Sequence, residues 1–388
     1  MKRSSSYRRA ALLGGVAMLS GCSIFSPQHE PPPPPPAEPP PPQYAEPLAT
    51  HTFPYVPKVT TVVGQLQATI ATEEDTLSDI ARRFNLGYDE VVNANPGVDP
   101  WLPKAGTRIV LPTQFVLPEA PHDGVVVNLA ALRLFYFPKA AKGAERTVVT
   151  VPIGIGMVGW ATPEGTTKIV SKRKDPTWTP PESVRKEHAA EGDILPARVP
   201  AGPDNPLGAF AMNLGWPSYL MHGTNKPAGV GMRASHGCIR LYPEDIATLF
   251  PQLPIGTKVT VVNQPLLHTV QDGQFYVQSF PPHEEHPEAK AAAKGQRFTK
   301  KVQAKMTQRA NAAAVAVDWT LAEQVVNASK GVAIPVGQPA AGVEPFLASA
   351  LLVENRIPDG ANWDGSDRPV PIRAEPTAAT PVAASGAR

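Results

Sequence analysis

Cysteine is nearly absent: two residues, Cys22 and Cys238, in a chain of 388. No disulfide framework can be built from them, since at most one bond can form. An excess of one charge is also missing. With 36 basic against 34 acidic side chains, the formal net charge is +2, which gives no support for nucleic-acid binding, where a basic patch or stripe is the usual footprint. Long apolar runs are lacking too. The stretch Ala10–Leu19 has the length of a signal-peptide apolar core and is too short to cross a bilayer. Proline is abundant instead, at 47 residues. It crowds the region before residue 60 and the stretch after residue 357, and both ends are expected to stay unpacked. The length fits about two domains.

The N-terminus reads as a targeting segment. Lys2, Arg3, Arg8 and Arg9 precede the apolar run, and Leu19-Ser20-Gly21-Cys22 follows it. This order resembles a bacterial lipobox and implies a signal peptide over 1–21 and lipidation of Cys22; the bland alternative is an ordinary signal peptide with an incidental cysteine. Residues 22–60 form a tether whose proline runs, Pro31–Pro36 and Pro39–Pro42, favour polyproline II. Ser23 after the lipidated cysteine favours the outer membrane, so the expected location is the periplasm, with the protein lipid-anchored. A lipidated Cys22 leaves Cys238 without a partner in the chain. A lone thiol in an exported protein is either buried and inert or kept for its reactivity.

Residues 66–112 form a small unit. Leu66–Ile70 alternates like a strand, and Leu77, Ile80, Ala81 and Phe84 fall at helical spacing. Tyr88–Ala94 reads as a second helix broken by Asn95-Pro96-Gly97, and Thr107–Pro112 returns as a strand. The strand–helix–helix–strand order, with Asp75-Thr76-Leu77 and Asn93-Ala94-Asn95-Pro96, resembles a LysM domain. That resemblance implies binding of peptidoglycan glycan, with Asp75, Thr76, Asn95 and Pro96 as candidate sugar contacts. Capping and turn roles are the competing explanation for each.

From residue 124 the period becomes two. Strands are expected at Gly124–Leu129, Leu132–Phe137, Arg146–Ile153, Thr166–Ser171, Ala209–Leu214, Tyr219–His222 and Lys258–Asn263, with one helix over Pro243–Phe250. The fold class is mainly β, a sandwich-like domain over 124–263 preceded by the small βααβ unit. The proline-dense segment Lys172–Leu207 reads as a long loop over a site, with Trp178 either stacking on substrate or pinning the loop. Residues 264–330 are an extension with a trailing hairpin and a helix near Asp318–Ala328. Residues 331–388 are expected to be mostly disordered.

Two histidines and the second cysteine lie within 17 residues, in Tyr219-Leu220-Met221-His222-Gly223-Thr224-Asn225 and Ser235-His236-Gly237-Cys238-Ile239-Arg240. A thiol must lose its proton to attack a carbonyl, and a nearby imidazole can take it. Gly237 allows close backbone approach, and the amides of Gly237 and Cys238 are candidates for an oxyanion hole. A zinc site and an inert buried thiol compete with this reading, but three ligands at this spacing do not make a usual structural zinc site. His222, a spacer of 12 residues, and then Ser235-His236-Gly237-Cys238 match the pattern of L,D-transpeptidase (YkuD-type) catalytic domains. Thr162-Pro163-Glu164-Gly165, Pro176-Thr177-Trp178 and Asn205-Pro206-Leu207-Gly208 add to the likeness, and Arg240 stands where many members carry Asn. The pattern also resembles that of the Gram-negative enzymes that attach Braun's lipoprotein to peptidoglycan. The resemblance implies an acyltransferase of cell-wall biogenesis and cell shape that needs no metal or organic cofactor. Cys238 would attack the diaminopimelate carbonyl of a stem tetrapeptide, D-Ala would leave, and an amine of another diaminopimelate, a lipoprotein or an outer-membrane protein would accept the acyl group. The implied roles are His222 as acid/base, Gly223 orienting it, His236 supporting the loop, and Arg240, Asn225, Ser235 and Trp178 meeting substrate. A hydrolase on the same fold and a non-catalytic wall-binding lipoprotein are the alternatives.

Overall fold

The computed structural model describes residues 44–141, 143–284, 294–295 and 297–366. The signal segment, Cys22 and the proline runs lie outside the described residues, as does the chain after Ser366. Up to residue 120 the elements are β1 (Thr52–Pro54), β2 (Val62–Gly64), β3 (Gln67–Ile70), α1 (Leu77–Arg83), α2 (Tyr88–Ala94), β4 (Arg108–Leu111) and β5 (Gln114–Val116). Then come β6 (Gly124–Asn128), β7 (Arg133–Phe137), β8 (Thr147–Pro152), β9 (Ile155–Gly156), β10 (Gly165–Lys174), α3 (Glu182–Ala190), β11 (Phe210–Leu214) and β12 (Leu220–His222). They are followed by β13 (Arg233–Ser235), β14 (Ile239–Arg240), α4 (Pro243–Gln252) and β15 (Lys258–Val262). The last part holds β16 (Leu266–Gln271), β17 (Gln274–Ser279), α5 (Lys300–Ala312), α6 (Trp319–Ala328), β18 (Ala333–Pro335), α7 (Val343–Ala348) and β19 (Leu351–Leu352).

Among the described residues, nine strands form one curled sheet in the order β1-β8-β7-β6-β15-β10-β11-β12-β14. The corner is made by β10. Gly165–Lys168 pair with β15 and Ile169–Lys174 with β11, with a register shift between Ile169 and Ser171. Val170 is the extra residue and stays 42% exposed, as a bulge that bends its strand does. The two halves close over Val125, Val127, Leu134, Ile169, Met212, Met221 and Ile239, and α4 adds Ile246 and Leu249. This is the mainly β, sandwich-like body that the period-two pattern predicts.

The small unit forms as expected. Thr76 caps α1 in a reciprocal box with Asp79, and Leu77, Ile80 and Ala81 turn inward. Strands β3 and β4 pair antiparallel. The unit is welded to the large sheet rather than strung beside it. Its Leu77, Ile80, Phe84 and Val91 share one core with Val126, Phe135, Phe137 and Val148 of the sheet. Arg133, 1% exposed, donates through Nε and Nη2 to both Glu90 oxygens at 2.7 and 2.9 Å. The two acids opening α4 are spent on the same junction. Glu244 pairs with Arg82 at 3.0 Å, and Asp245 Oδ1 accepts from Asn85 at 2.7 Å and from Asn362 at 2.8 Å.

Three expectations need correction. Residues 44–57 are not tether: β1 joins the sheet against β8, and His51, Phe53 and Tyr55 are buried while Thr52 and Pro54 are exposed. That alternation marks a strand, and local proline content concealed it. Likewise 331–366 is folded. Ala333 and Ile334 are buried in β18, and β19 extends the small unit's sheet by pairing parallel with β3. Its Val332, Ala333, Ile334, Val336 and Leu347 pack into one buried apolar cluster or its neighbour. Finally, the segment Lys172–Leu207 contains α3 where a loop was expected.

Two outcomes follow. Glu90→Ala strands a buried guanidinium, and a loss of about 3–5 kcal/mol is expected in chemical denaturation. Burial, aided by the Glu244 charge, pushes the Asp245 carboxyl up to about 7. The folded state therefore keeps a proton that an unfolded Asp releases near ~4, so stability falls as pH rises from about 4 to about 7. Asp245→Asn should flatten that stretch of a Tm-against-pH curve; an unchanged slope would contradict the assignment.

Candidate active site

The site is set by one parallel strand pair. Strand β12 lies beside β14 with Met221 opposite Ile239 and His222 opposite Arg240. Met221 and Ile239 are buried in the core. Because side chains alternate along strands, Leu220, His222, Cys238 and Arg240 face the other way together. There they line a cavity of about 480 Å³ with Trp178 and Tyr219.

The loop that carries Cys238 is braced from within. Ser235 Oγ donates to the Cys238 carbonyl at 2.6 Å and accepts the Gly237 amide at 3.2 Å. Thr162 Oγ1 donates to the Gly237 carbonyl at 2.9 Å. Gly237 sits at φ +97, and a Cβ there would come within 2.8 Å of the Tyr219 ring, so only glycine fits. On the far side, residues 152–157 act as a rail. Gly154 exchanges backbone hydrogen bonds with Arg240, and Met157 N–H donates to the Ser235 carbonyl. The glycine-rich turn between the two motifs rests on the small unit. The amides of Tyr88 and Asp89, opening α2, donate to the carbonyls of Val230 and Gly231.

His222 is 4% exposed, and its Nδ1 lies 2.6 Å from the Gly223 carbonyl. A carbonyl only accepts, so Nδ1 carries the proton and Nε2 presents a lone pair. Burial, with the Arg240 charge adding to it, pushes the ring down to about 4, although the Gly223 bond opposes this. Burial raises the Cys238 thiol, against the opposing Leu220 backbone bond and the Arg240 charge. The cavity wall thus holds a neutral thiol and a neutral imidazole.

The other sequence candidates divide. Arg240 lines the cavity, and its Nε is buried without a partner. Trp178 exchanges backbone hydrogen bonds with Val199, which ties the segment at that point, and it lines the cavity. His236 Nε2 bonds Glu187 on α3 at 2.7 Å. Ser235 also lines the cavity, with its Oγ engaged by the Cys238 carbonyl and the Gly237 amide. The Gly237 amide is also taken, so of the proposed oxyanion donors only the Cys238 amide remains. Asn225 is not among the cavity-lining residues. Among the sugar candidates, Asp75 is 4% exposed and accepts from Thr72, Arg83 and Asn355. Asn95 is 7% exposed and bonds Val91 and Val110. Both are structural, Thr76 is the α1 cap, and Pro96 alone of the four is exposed. Sequence reasoning missed Thr162 as the loop's brace and Glu187 altogether; no local pattern around Glu187 points to it, because its partner lies 49 residues away.

Fold and site together define a β-rich domain with a thiol–imidazole pair in a cleft, fused to a glycan-type βααβ unit. Residues 122–261 match the L,D-transpeptidase catalytic domain, and residues 71–112 match the LysM domain. The chain is 43% identical over 231 residues, 58% of its own length, to "Probable L,D-transpeptidase YbiS" of Escherichia coli K12, covering 74% of that protein. It is 43% identical over 227 residues, 57% of its length, to "Probable L,D-transpeptidase YcfS" of the same strain, covering 70% of it. It is 40% identical over 235 residues, 60% of its length, to "Probable L,D-transpeptidase ErfK/SrfK", covering 74% of it. The chain belongs to the L,D-transpeptidase family: it is an enzyme of that class, carrying a LysM domain that implies peptidoglycan binding.

The electrostatics predict the pH profile of thiol acylation. A base titrating near 4 stays neutral through mildly acid conditions, so the acid limb should lie near pH 4 rather than near the usual histidine value of about 6.5. The Arg240 charge lowers both His222 and Cys238. Arg240→Gln should therefore move both limbs upward, measured as the rate of covalent labelling of Cys238 against pH.

Proposed function

We propose that Cys238 is the nucleophile and His222 the general base of acyl transfer on peptidoglycan stem peptides. One observation carries the reading: the register of β12 against β14 sets thiol and imidazole on one face of one cavity, with the imidazole neutral and its Nε2 open. His222 Nε2 takes the thiol proton as sulfur bonds to the diaminopimelate carbonyl carbon of a tetrapeptide stem. The tetrahedral oxyanion meets the Cys238 amide. Collapse breaks the bond to the terminal D-Ala, whose amine leaves with the proton held on His222, and a thioester remains. An acceptor amine then attacks, gives a proton to His222, and expels the sulfur, which recovers that proton. Arg240, a cation with an unpartnered Nε in the cavity wall, suits a carboxylate of the donor peptide. Gly223 fixes the His222 tautomer, and His236 supports the loop.

The acceptor is a lysine of a lipoprotein or outer-membrane protein, in keeping with an enzyme held at the outer membrane by Cys22 and reaching the wall from the periplasm. The basic, apolar and Leu-Ser-Gly-Cys order at the N-terminus supports that location. Hydrolysis and transfer to a second diaminopimelate remain as outcomes of the test.

Incubating the purified protein with a carbapenem should add one acyl group by intact mass, and Cys238→Ala should add none. In a deletion strain, muropeptide and wall-protein mass spectrometry should show loss of protein-linked tripeptide, restored by the wild type and not by Cys238→Ala. Loss of cross-linked dimers instead would move the acceptor to diaminopimelate, and acylation surviving in Cys238→Ala would remove the nucleophile.

A further inference from the structure

The segment that covers the cavity is held at two places of different character. Its base is fixed deep in the protein. Asn205, with no exposed surface, donates to the carbonyls of Pro176 and Pro200 at 2.7 and 3.0 Å and accepts the Leu207 amide at 2.9 Å. The paired backbones of Trp178 and Val199 close the same neck. Helix α3 runs on from there, with its cap residue Pro181 and its first-turn Ser183 and Val184 in the cavity wall. Its far end has one polar tie to the nucleophile loop among the described residues. Glu187 Oε2 meets His236 Nε2 at 2.7 Å. The His236 ring is steadied on another side by Trp160, whose ring meets it edge-on at 4.9 Å.

This arrangement removes His236 from direct chemistry. Its Nε2 is occupied, and the partner comes from the covering helix rather than from substrate. Since a carboxylate accepts only, Nε2 carries a proton. His236 precedes Gly237 and Cys238, so a force on its ring is delivered to the backbone that aims the sulfur. The pair is partly open to water, with side chains 23% and 33% exposed. Such a pair adds little to global stability, yet it suffices to bias a helix already fixed at its neck.

We infer that Glu187 is a positioning residue for transfer at Cys238: through His236 it latches α3 onto the nucleophile loop, so that covering the cavity and aiming the thiol occur together. The inference rests on the reading of Cys238 as nucleophile. A 1 Å misplacement of a reacting group can slow a reaction by orders of magnitude, so loss of the latch falls on the chemical step.

The test uses the mature protein, a tetrapeptide muropeptide as donor, and the variants Glu187→Ala, Glu187→Gln and His236→Gln. Glu187→Ala is expected to lower kcat for D-Ala release by about tenfold with Tm unchanged, while Glu187→Gln, which keeps an acceptor oxygen, restores most of it. Hydrogen exchange of residues 182–190 and 236–240 should quicken together in Glu187→Ala, and the losses from Glu187→Ala and His236→Gln should not add in the double variant. Wild-type kcat in Glu187→Ala, independent exchange of the two segments, or equal losses in Ala and Gln with a lowered Tm would each overturn the latch. Carbapenem labelling of wild type beside Cys238→Ala keeps the two hypotheses apart: if both label alike, the nucleophile assignment fails; if only wild type labels, a null result at Glu187 counts against the latch alone.

Discussion

The parallel pairing of β12 with β14 is the constraint from which the rest of the site follows. A slip of β12 by one residue against β14 would turn Met221 outward and His222 into the core, parting the imidazole from Cys238, because successive side chains point to opposite faces. The hydrophobic pair opposite the site therefore sets the register. Residues 152–157 hold both ends of the Cys238 loop to that register, and Gly237 supplies the one backbone turn that the Tyr219 ring leaves room for.

Electrostatics then act on a geometry already set. Burial keeps His222 and Cys238 neutral at rest, and Arg240 is the nearby charge that acts on both. A neutral pair in a shielded cleft holds no charge to be solvated before substrate arrives. On the proposed mechanism it gains its charges only as sulfur bonds to the carbonyl, where Arg240 and the Cys238 amide would meet negative charge.

The LysM unit is part of the same body. Arg133 and Glu90 meet where water is excluded, the two domains share apolar core, and the amides that open α2 carry the turn joining His222 to Ser235. The last strand among the described residues, β19, completes the unit's sheet. A glycan held by this unit is thereby held relative to the thiol. The anchor of the catalytic turn is backbone on backbone: a Cβ on Gly231 would come within 2.2 Å of the Gly87 Cα.

Much was legible from local pattern. Alternation placed the strands of the catalytic domain, helical spacing and caps placed α1, α2 and α4, and the His222 and Cys238 motifs stood out because one thiol and two imidazoles in glycine-rich loops do not look like core. The errors share one cause. Composition marked 44–57 and 331–366 as unpacked, yet His51, Phe53, Tyr55 and Ile334 are buried by partners far away in the chain. Asp75 and Asn95 were polar residues in loops, which sequence cannot divide into sugar contacts and buried braces, since the difference lies in whether Arg83, Asn355 and Val110 come to meet them. Glu187 was invisible for the same reason. The sequence by itself determined periodicity, turn chemistry and the reactive residue types, because these depend on neighbours a few positions apart. Only the tertiary structure decided which polar groups are free, what the charges are at rest and which segments cover the cleft, because burial and pairing are set by residues that meet across long spans of chain.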